Sequence, residues 1–131
     1  MAHVVLTSGG ISFIRDWLIG LNPTPPTHIA LGSGTVTVGR YMTQLPGETF
    51  RTSIVQADAS GPCSVVYHAF LGITDDLNHP VGCYGIFAGN ATDRPNSGTL
   101  IAIGNEPVPF SKNPINTYSL DIELSVSGTV G

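Results

Sequence analysis

The sequence has few charged residues. Asp, Glu, Lys and Arg make up 11% of its 131 residues, whereas an ordinary soluble domain has about 25%. Lys112 is the only lysine, and the arginines are scattered along the chain. Because there is no basic stripe to neutralise phosphates, we expect no nucleic-acid partner. So few charges, combined with a mean hydropathy of +0.20, indicate a surface that is normally covered by partners.

Long apolar runs and a leader pattern are also missing. No apolar stretch approaches the ~18 residues that cross a bilayer, so we expect no membrane span. The first six residues lack the cationic and long apolar regions of a signal peptide. We therefore expect synthesis in a cytoplasm.

The sequence contains only two cysteines, Cys63 and Cys83. Two thiols this far apart make a zinc site improbable. In a reducing compartment we expect two buried free thiols. The alternative is a disulfide formed after release into an oxidising medium, closing a loop of about 20 residues.

One segment has the pattern of a helix, over residues 9–20 of a single domain that spans 1–131. Ser8 is placed to cap it, and Gly20 is placed to end it. Ile11, Ile14 and Leu18 follow helical spacing and predict the stripe that faces the core.

Strands and turns are expected to fill residues 27–127. The chain has 16 glycines and 10 prolines, which indicates many turns and favours β structure. The segment 63–73 has apolar groups on both faces, which predicts a central strand. We predict an all-β fold, an antiparallel β-sandwich or small barrel of six or seven short strands with one N-terminal α-helix. The other predicted strands are 27–31, 50–58, 83–88, 99–103 and 118–127.

The N-terminal residues His3, Val4, Val5 and Leu6 precede the helix and have two interpretations. They can form the first strand of their own domain. Alternatively, they form an extended arm that adds a strand to a neighbouring subunit and contacts that partner.

No motif predicts catalysis, a cofactor or a bound metal. The four histidines share no ligand spacing, and we interpret His28 and His68 as hydrogen-bonded structural residues. The segment from Asp75 to His79 offers oxygens and an imidazole for a divalent ion, but we favour a solvated turn. We therefore expect a protein that is not an enzyme.

Three motifs together resemble a family of small tailed-bacteriophage virion proteins, the tail-fibre or decoration proteins. The first is the helix followed by P-T-H-I-A-L-G-S-G-T at 26–35, and the second is L-P-G-E-T-F-R at 45–51. The third joins G-I-F at 85–87 to G-T-L-I-A at 98–102, followed by Lys112 and a long alternating last strand. Cys83 stands where the family usually has Glu, and the loop 89–98 is longer than usual.

The resemblance implies a structural protein of the virion, assembled in the cytoplasm of a bacterial host. The leading hypothesis is a head decoration (cement) protein that binds between major capsid protein subunits as a trimer. A tail-tip, baseplate or tail-fibre component, receptor-facing or not, is the alternative, and a free carbohydrate-binding module or a small hydrolase ranks below it. Glu48 and Arg51 in the second motif can form a structural pair, or they can be two unrelated surface charges.

Overall fold

The structure is a computed structural model that describes residues 2–21, 25–35, 37, 39, 41–72, 80–95, 97–110 and 117–125. For residues 2, 3 and 107–110 it describes the backbone alone. One helix and eight strands form in these ranges: β1 (Ala2–Leu6), α1 (Ser8–Leu18), β2 (His28–Ser33), β3 (Glu48–Ser53), β4 (Gln56–Ala59), β5 (Ser64–Leu71), β6 (Val81–Ala88), β7 (Thr99–Phe110) and β8 (Tyr118–Ser125).

The strands form one curled, mixed sheet in the order β3-β2-β6-β7-β1-β8-β5-β4. Every neighbouring pair is antiparallel except β1 and β8, which run parallel. The prediction of an all-β fold with one N-terminal helix is confirmed. The described residues hold eight strands rather than six or seven, and the parallel pair makes the sheet mixed rather than purely antiparallel.

The sheet curls because its two edge strands are consecutive pieces of the chain. Only Ile54 and Val55 separate β3 from β4. The Ile54 N–H donates to the carbonyl of Thr27 beside β2, and the Val55 N–H donates to the carbonyl of His68 on β5, both at 2.8 Å. The segment 50–58, predicted as one strand, therefore bends here and links the two ends of a half-barrel.

The core lies inside the curl, and a smaller cluster covers the outer face of β6. Leu45 packs there with Cys83 and Phe87. As a result all eight residues of β6 are buried. The prediction that 63–73 is a central strand is wrong, because β5 lies next to the edge strand β4 and leaves His68 partly exposed and Phe70 exposed on its outer face. The inner core is built from Val4, Phe13, Ile29, Leu31, Tyr67, Ala69, Leu71, Val81, Tyr84, Ile86, Ala88, Ile101, Ala102, Leu120, Ile122 and Leu124.

Helix α1 is attached to β7 by its first turn. Thr7, not Ser8, is the N-cap: its hydroxyl accepts from the Gly10 N–H at 3.1 Å and donates to the Leu100 carbonyl at 2.6 Å. A Cβ built on Gly10 would lie 2.0 Å from the carbonyl oxygen of Ile101. Only glycine allows so close an approach of helix to strand.

Residues 2–6 form an interior strand of their own domain. The first half of β1 pairs with β8, from Ala2 to Val4, and its end pairs with β7, through Val5 and Leu6. In the described part of the sheet, β1 therefore lies between β7 and β8. Of the two interpretations, the structure shows the first strand, and contact of these residues with a neighbouring subunit stays a prediction.

Candidate partner-binding surface

The end of α1 and the residues just after it present apolar side chains to solvent. Trp17, Leu18, Ile19 and Leu21 are all more than half exposed, and Leu18 reaches 71%. We call these four large apolar side chains, which lie within five residues of the sequence, the α1 patch. Such patches are uncommon on monomers and mark interaction surfaces.

The α1 patch corrects the predicted orientation of the helix. Residues Ile11 and Leu18 of the predicted core stripe are exposed, whereas Gly10 and Phe13 are the buried residues of α1. The close contact at Gly10 turns this side of the helix towards the sheet and leaves Ile11 and Leu18 outward.

One charged pair accompanies the α1 patch. The Arg15 guanidinium donates to Asp16 Oδ1 from Nε at 2.9 Å and from Nη2 at 2.8 Å. The two charges neutralise each other on the helix itself. A partner that covers the apolar side chains therefore meets no net charge from this pair.

Glu48 and Arg51 are brought together as a buried ion pair. Arg51 Nε donates to Glu48 Oε2 at 2.6 Å and Nη2 donates to Oε1 at 3.3 Å. Both side chains are only 1% exposed. The Arg51 guanidinium also lies over the Phe87 ring, 4.0 Å from its centroid, a cation–π arrangement.

The other end of the Arg51 guanidinium holds the loop 89–98. Its Nη1 donates to the carbonyls of Thr92 and Ser97, at 3.0 and 2.9 Å. Ser97 Oγ accepts a further hydrogen bond from the same nitrogen at 3.0 Å. The pair therefore has a structural role, since it ties β3 to a loop more than forty residues away.

The two cysteines are far apart in the sheet and both are free thiols. Cys63 lies just before β5 and is exposed, and Cys83 lies in β6 and is buried. The disulfide alternative is therefore wrong for this structure, and only one of the two free thiols is buried. Burial raises the pKa of the Cys83 thiol, which disfavours the reactive thiolate.

A polar cluster occupies the outer face of β4, β5 and β8. His68 on β5 lies between Asp121 on β8 and Asp58 on β4. The sequence predicted a structural role for His68 but did not predict its two carboxylate partners. Alternation puts His68 and Asp121 on outer faces, but only the register of β5 against β8 places them opposite each other.

His28 and Tyr84 also lie in structural environments. His28 Nδ1 is 2.8 Å from the Thr27 hydroxyl, and its Nε2 is 3.3 Å from Asp93 Oδ1. The buried Tyr84 hydroxyl donates to the Glu106 carboxylate. Burial, followed by this carboxylate, raises the pKa of Tyr84 well above its usual range.

Ligand-binding features are sparse in the described residues. A mostly apolar pocket of about 220 Å³ is lined by Gly9, by Met42 and Thr43, and by residues 98–100. Within the described ranges, no group of three or more His, Cys, Asp or Glu side chains could hold a metal ion. The predicted ion-binding segment 75–79, Lys112 and the His3 side chain lie outside the described residues.

No helix in the described part of the chain is long and apolar enough to cross a membrane. Comparisons with protein-family models, with curated proteins and with solved structures find no match.

Proposed function

We propose that this chain is a non-enzymatic structural protein of a tailed-bacteriophage virion. Within that class we propose a head decoration protein, which binds as a trimer between major capsid protein subunits and raises the cost of separating them. The observation that carries the proposal is the α1 patch, which leaves large apolar side chains uncovered on a single chain.

Composition supports the same proposal. A net charge of −4 on 131 residues and a charged fraction of 11% leave little polar surface to keep single copies dispersed. Copies arranged around a symmetry axis can bury such surface against each other. Interfaces of this kind bury about 1,000 Å² or more when they are stable.

Sequence motifs supply the virion part of the proposal. The P-T-H-I-A-L-G-S-G-T segment forms β2 and the turn after it, and the L-P-G-E-T-F-R segment holds the Glu48–Arg51 pair. These motifs thus correspond to structural features of the fold. They are the basis of the resemblance to phage virion proteins. The α1 patch supplies this chain with a surface for binding neighbouring proteins.

The test compares two substitutions at equally exposed apolar residues. Leu18→Lys places a charge in the α1 patch, and Val55→Lys places the same charge at a residue that is 69% exposed between β3 and β4. Lysine is compatible with the C-terminal end of a helix, so the first variant is expected to fold. Both variants are checked by circular dichroism and thermal unfolding before use.

Light scattering at micromolar concentration and co-sedimentation with phage particles that lack this chain are the two measurements. We expect the parent protein and Val55→Lys to be trimers that bind particles. We expect Leu18→Lys to bind particles at least tenfold more weakly. A parent protein that is a monomer without affinity for particles would overturn the proposal, as would equal binding by both variants.

A further inference from the structure

The outer-face histidine on β5 is in contact with two carboxylates from two different strands. His68 Nδ1 is 2.6 Å from Asp121 Oδ1 on β8, and His68 Nε2 is 3.1 Å from Asp58 Oδ2 on β4. Both distances are those of hydrogen bonds. The ring therefore connects three neighbouring strands through its two nitrogens.

These two contacts require a protonated ring. A neutral imidazole has one N–H donor and one lone pair, whereas an imidazolium donates from both nitrogens. An ionised carboxylate only accepts. With a neutral ring, one nitrogen lone pair would therefore face a carboxylate oxygen, and that contact would be repulsive.

We infer that His68 is a pH-dependent clamp that holds the edge strand β4 against the sheet when the imidazole is protonated and releases it when the proton is lost. The shorter contact with Asp121 keeps the remaining proton on Nδ1. Deprotonation therefore removes the Nε2 contact with Asp58.

The strand β4 is the part of the sheet that such a change can loosen. All four of its residues are exposed, and among the described strands it pairs with β5 alone. Asp58 also has a second donor on its own strand, because the Gln56 side-chain amide lies 3.0 and 2.8 Å from its two oxygens. The Asp58 carboxylate can thus leave the ring and still keep a partner.

The charges around His68 all favour its protonated form. On the outer faces of β4, β5 and β8 the titratable groups are Asp58, His68, Asp121 and Glu123, and the Glu123 carboxylate accepts from the Ser60 hydroxyl at 3.0 Å. The hydrogen bond to Asp121 raises the pKa of His68, and Asp58 adds to the rise, while desolvation opposes it.

The raised pKa of His68 determines how the stability of the clamped state depends on pH. A group with a raised pKa in the folded state stabilises that state while it is protonated. The contribution is complete below the unfolded pKa of about 6.5 and is lost as pH rises through the folded pKa. The clamp is therefore closed in mildly acidic solution and opens towards alkaline pH.

The first test is an NMR titration of the histidine ring protons of the full chain, with His68→Gln used to assign the signal. We expect the pKa of His68 to lie above 6.5 and to fall in both Asp58→Asn and Asp121→Asn. Glu123→Gln is the control on the same face and is expected to leave the pKa close to the parent value. A parent pKa at or below the ordinary value would overturn the inference.

The second test separates a strand clamp from a simple surface ion pair. Amide-exchange protection of residues 56–59, corrected for the intrinsic pH dependence of exchange, is compared below and above the His68 pKa. We expect protection to fall about two- to fivefold in the parent protein, as for the loss of an exposed ion pair, and to stay constant in His68→Gln. An equal pH response in both proteins would overturn the clamp.

Discussion

Arg51 joins three separate parts of the chain, namely β3, the ring of Phe87 on β6 and the loop 89–98. A buried ion pair contributes little to stability compared with apolar residues of the same volume, but breaking it leaves a charge buried alone. In the described part of the chain no buried side-chain nitrogen or oxygen lacks a hydrogen-bond partner. We therefore expect the loss of any one partner of Arg51 to destabilise the fold.

Arg51→Met is expected to destabilise the protein by about 3–5 kcal/mol, because it removes the guanidinium from a buried ion pair with Glu48. Arg15→Met is the matched control, since Arg15 also pairs with a neighbouring carboxylate but is 67% exposed. That change is expected to cost less than about 1 kcal/mol. Urea unfolding of the three proteins gives the comparison, and equal costs would contradict a structural role for the buried pair.

At the scale of elements, the orientation of α1 depends on a glycine contact rather than on apolar periodicity. The backbone of Gly10 lies against the backbone of Ile101, and Gly9 lies next to Leu100. This contact decides which side of the helix meets the sheet. The same contact attaches α1 to β7, although the helix carries an exposed apolar patch.

Gly10→Ala tests this attachment, because two effects oppose each other. Intrinsic helix propensity favours alanine over glycine by about 1 kcal/mol. The added Cβ would lie 2.0 Å from the Ile101 carbonyl oxygen, and overpacking of this kind costs about 1–3 kcal/mol. We expect net destabilisation in thermal or urea unfolding. The control is Gly39→Ala, where the nearest atom would be an ordinary 3.6 Å away. A stabilised Gly10→Ala would contradict the contact.

The strand β1 provides a second test at this scale. Val4 is buried, and β1 joins β7 to β8 in the middle of the sheet. Deletion of residues 2–6 is therefore expected to abolish cooperative folding, measured by near-UV circular dichroism and unfolding. A truncated protein that folds normally but loses its partners would instead support the arm interpretation.

Sequence patterns predicted two kinds of strand, those that alternate and those that are short apolar runs next to turn residues. The last strand alternates clearly, and residues 118–127 correspond to β8 (Tyr118–Ser125) with little change. The segments 27–31 and 83–88 are short apolar runs and correspond to the largely buried strands β2 and β6. Alternation along the chain records which face is buried, and it is visible without knowledge of neighbours.

Features that depend on long-range pairing could not be predicted in this way. The parallel pairing of β1 with β8 and the bend at residues 54–55 depend on which strands meet in space. The environment of His68 likewise depends on the register of β5 with β8 and β4. The Glu48–Arg51 pair was accessible from sequence because its members are three residues apart, whereas the contacts of Arg51 with Thr92 and Ser97 were not.

On the scale of the whole molecule, a small and weakly charged chain carries an uncovered apolar patch. The half-barrel buries its own core, so the α1 patch is not needed for folding of the single chain. Free energy remains to be gained by covering it, since burial of apolar surface is worth about 25 cal/mol per Å². A repetitive particle surface offers many equivalent sites for such an interaction.

The number of copies per virion tests the proposed role most directly. Quantitative mass spectrometry of purified particles, with the major capsid protein as internal standard, measures it. We predict hundreds of copies per particle, as needed to cover a capsid lattice. A handful of copies would instead place the chain in the tail and contradict the decoration role, and its absence from purified virions would contradict a virion role altogether.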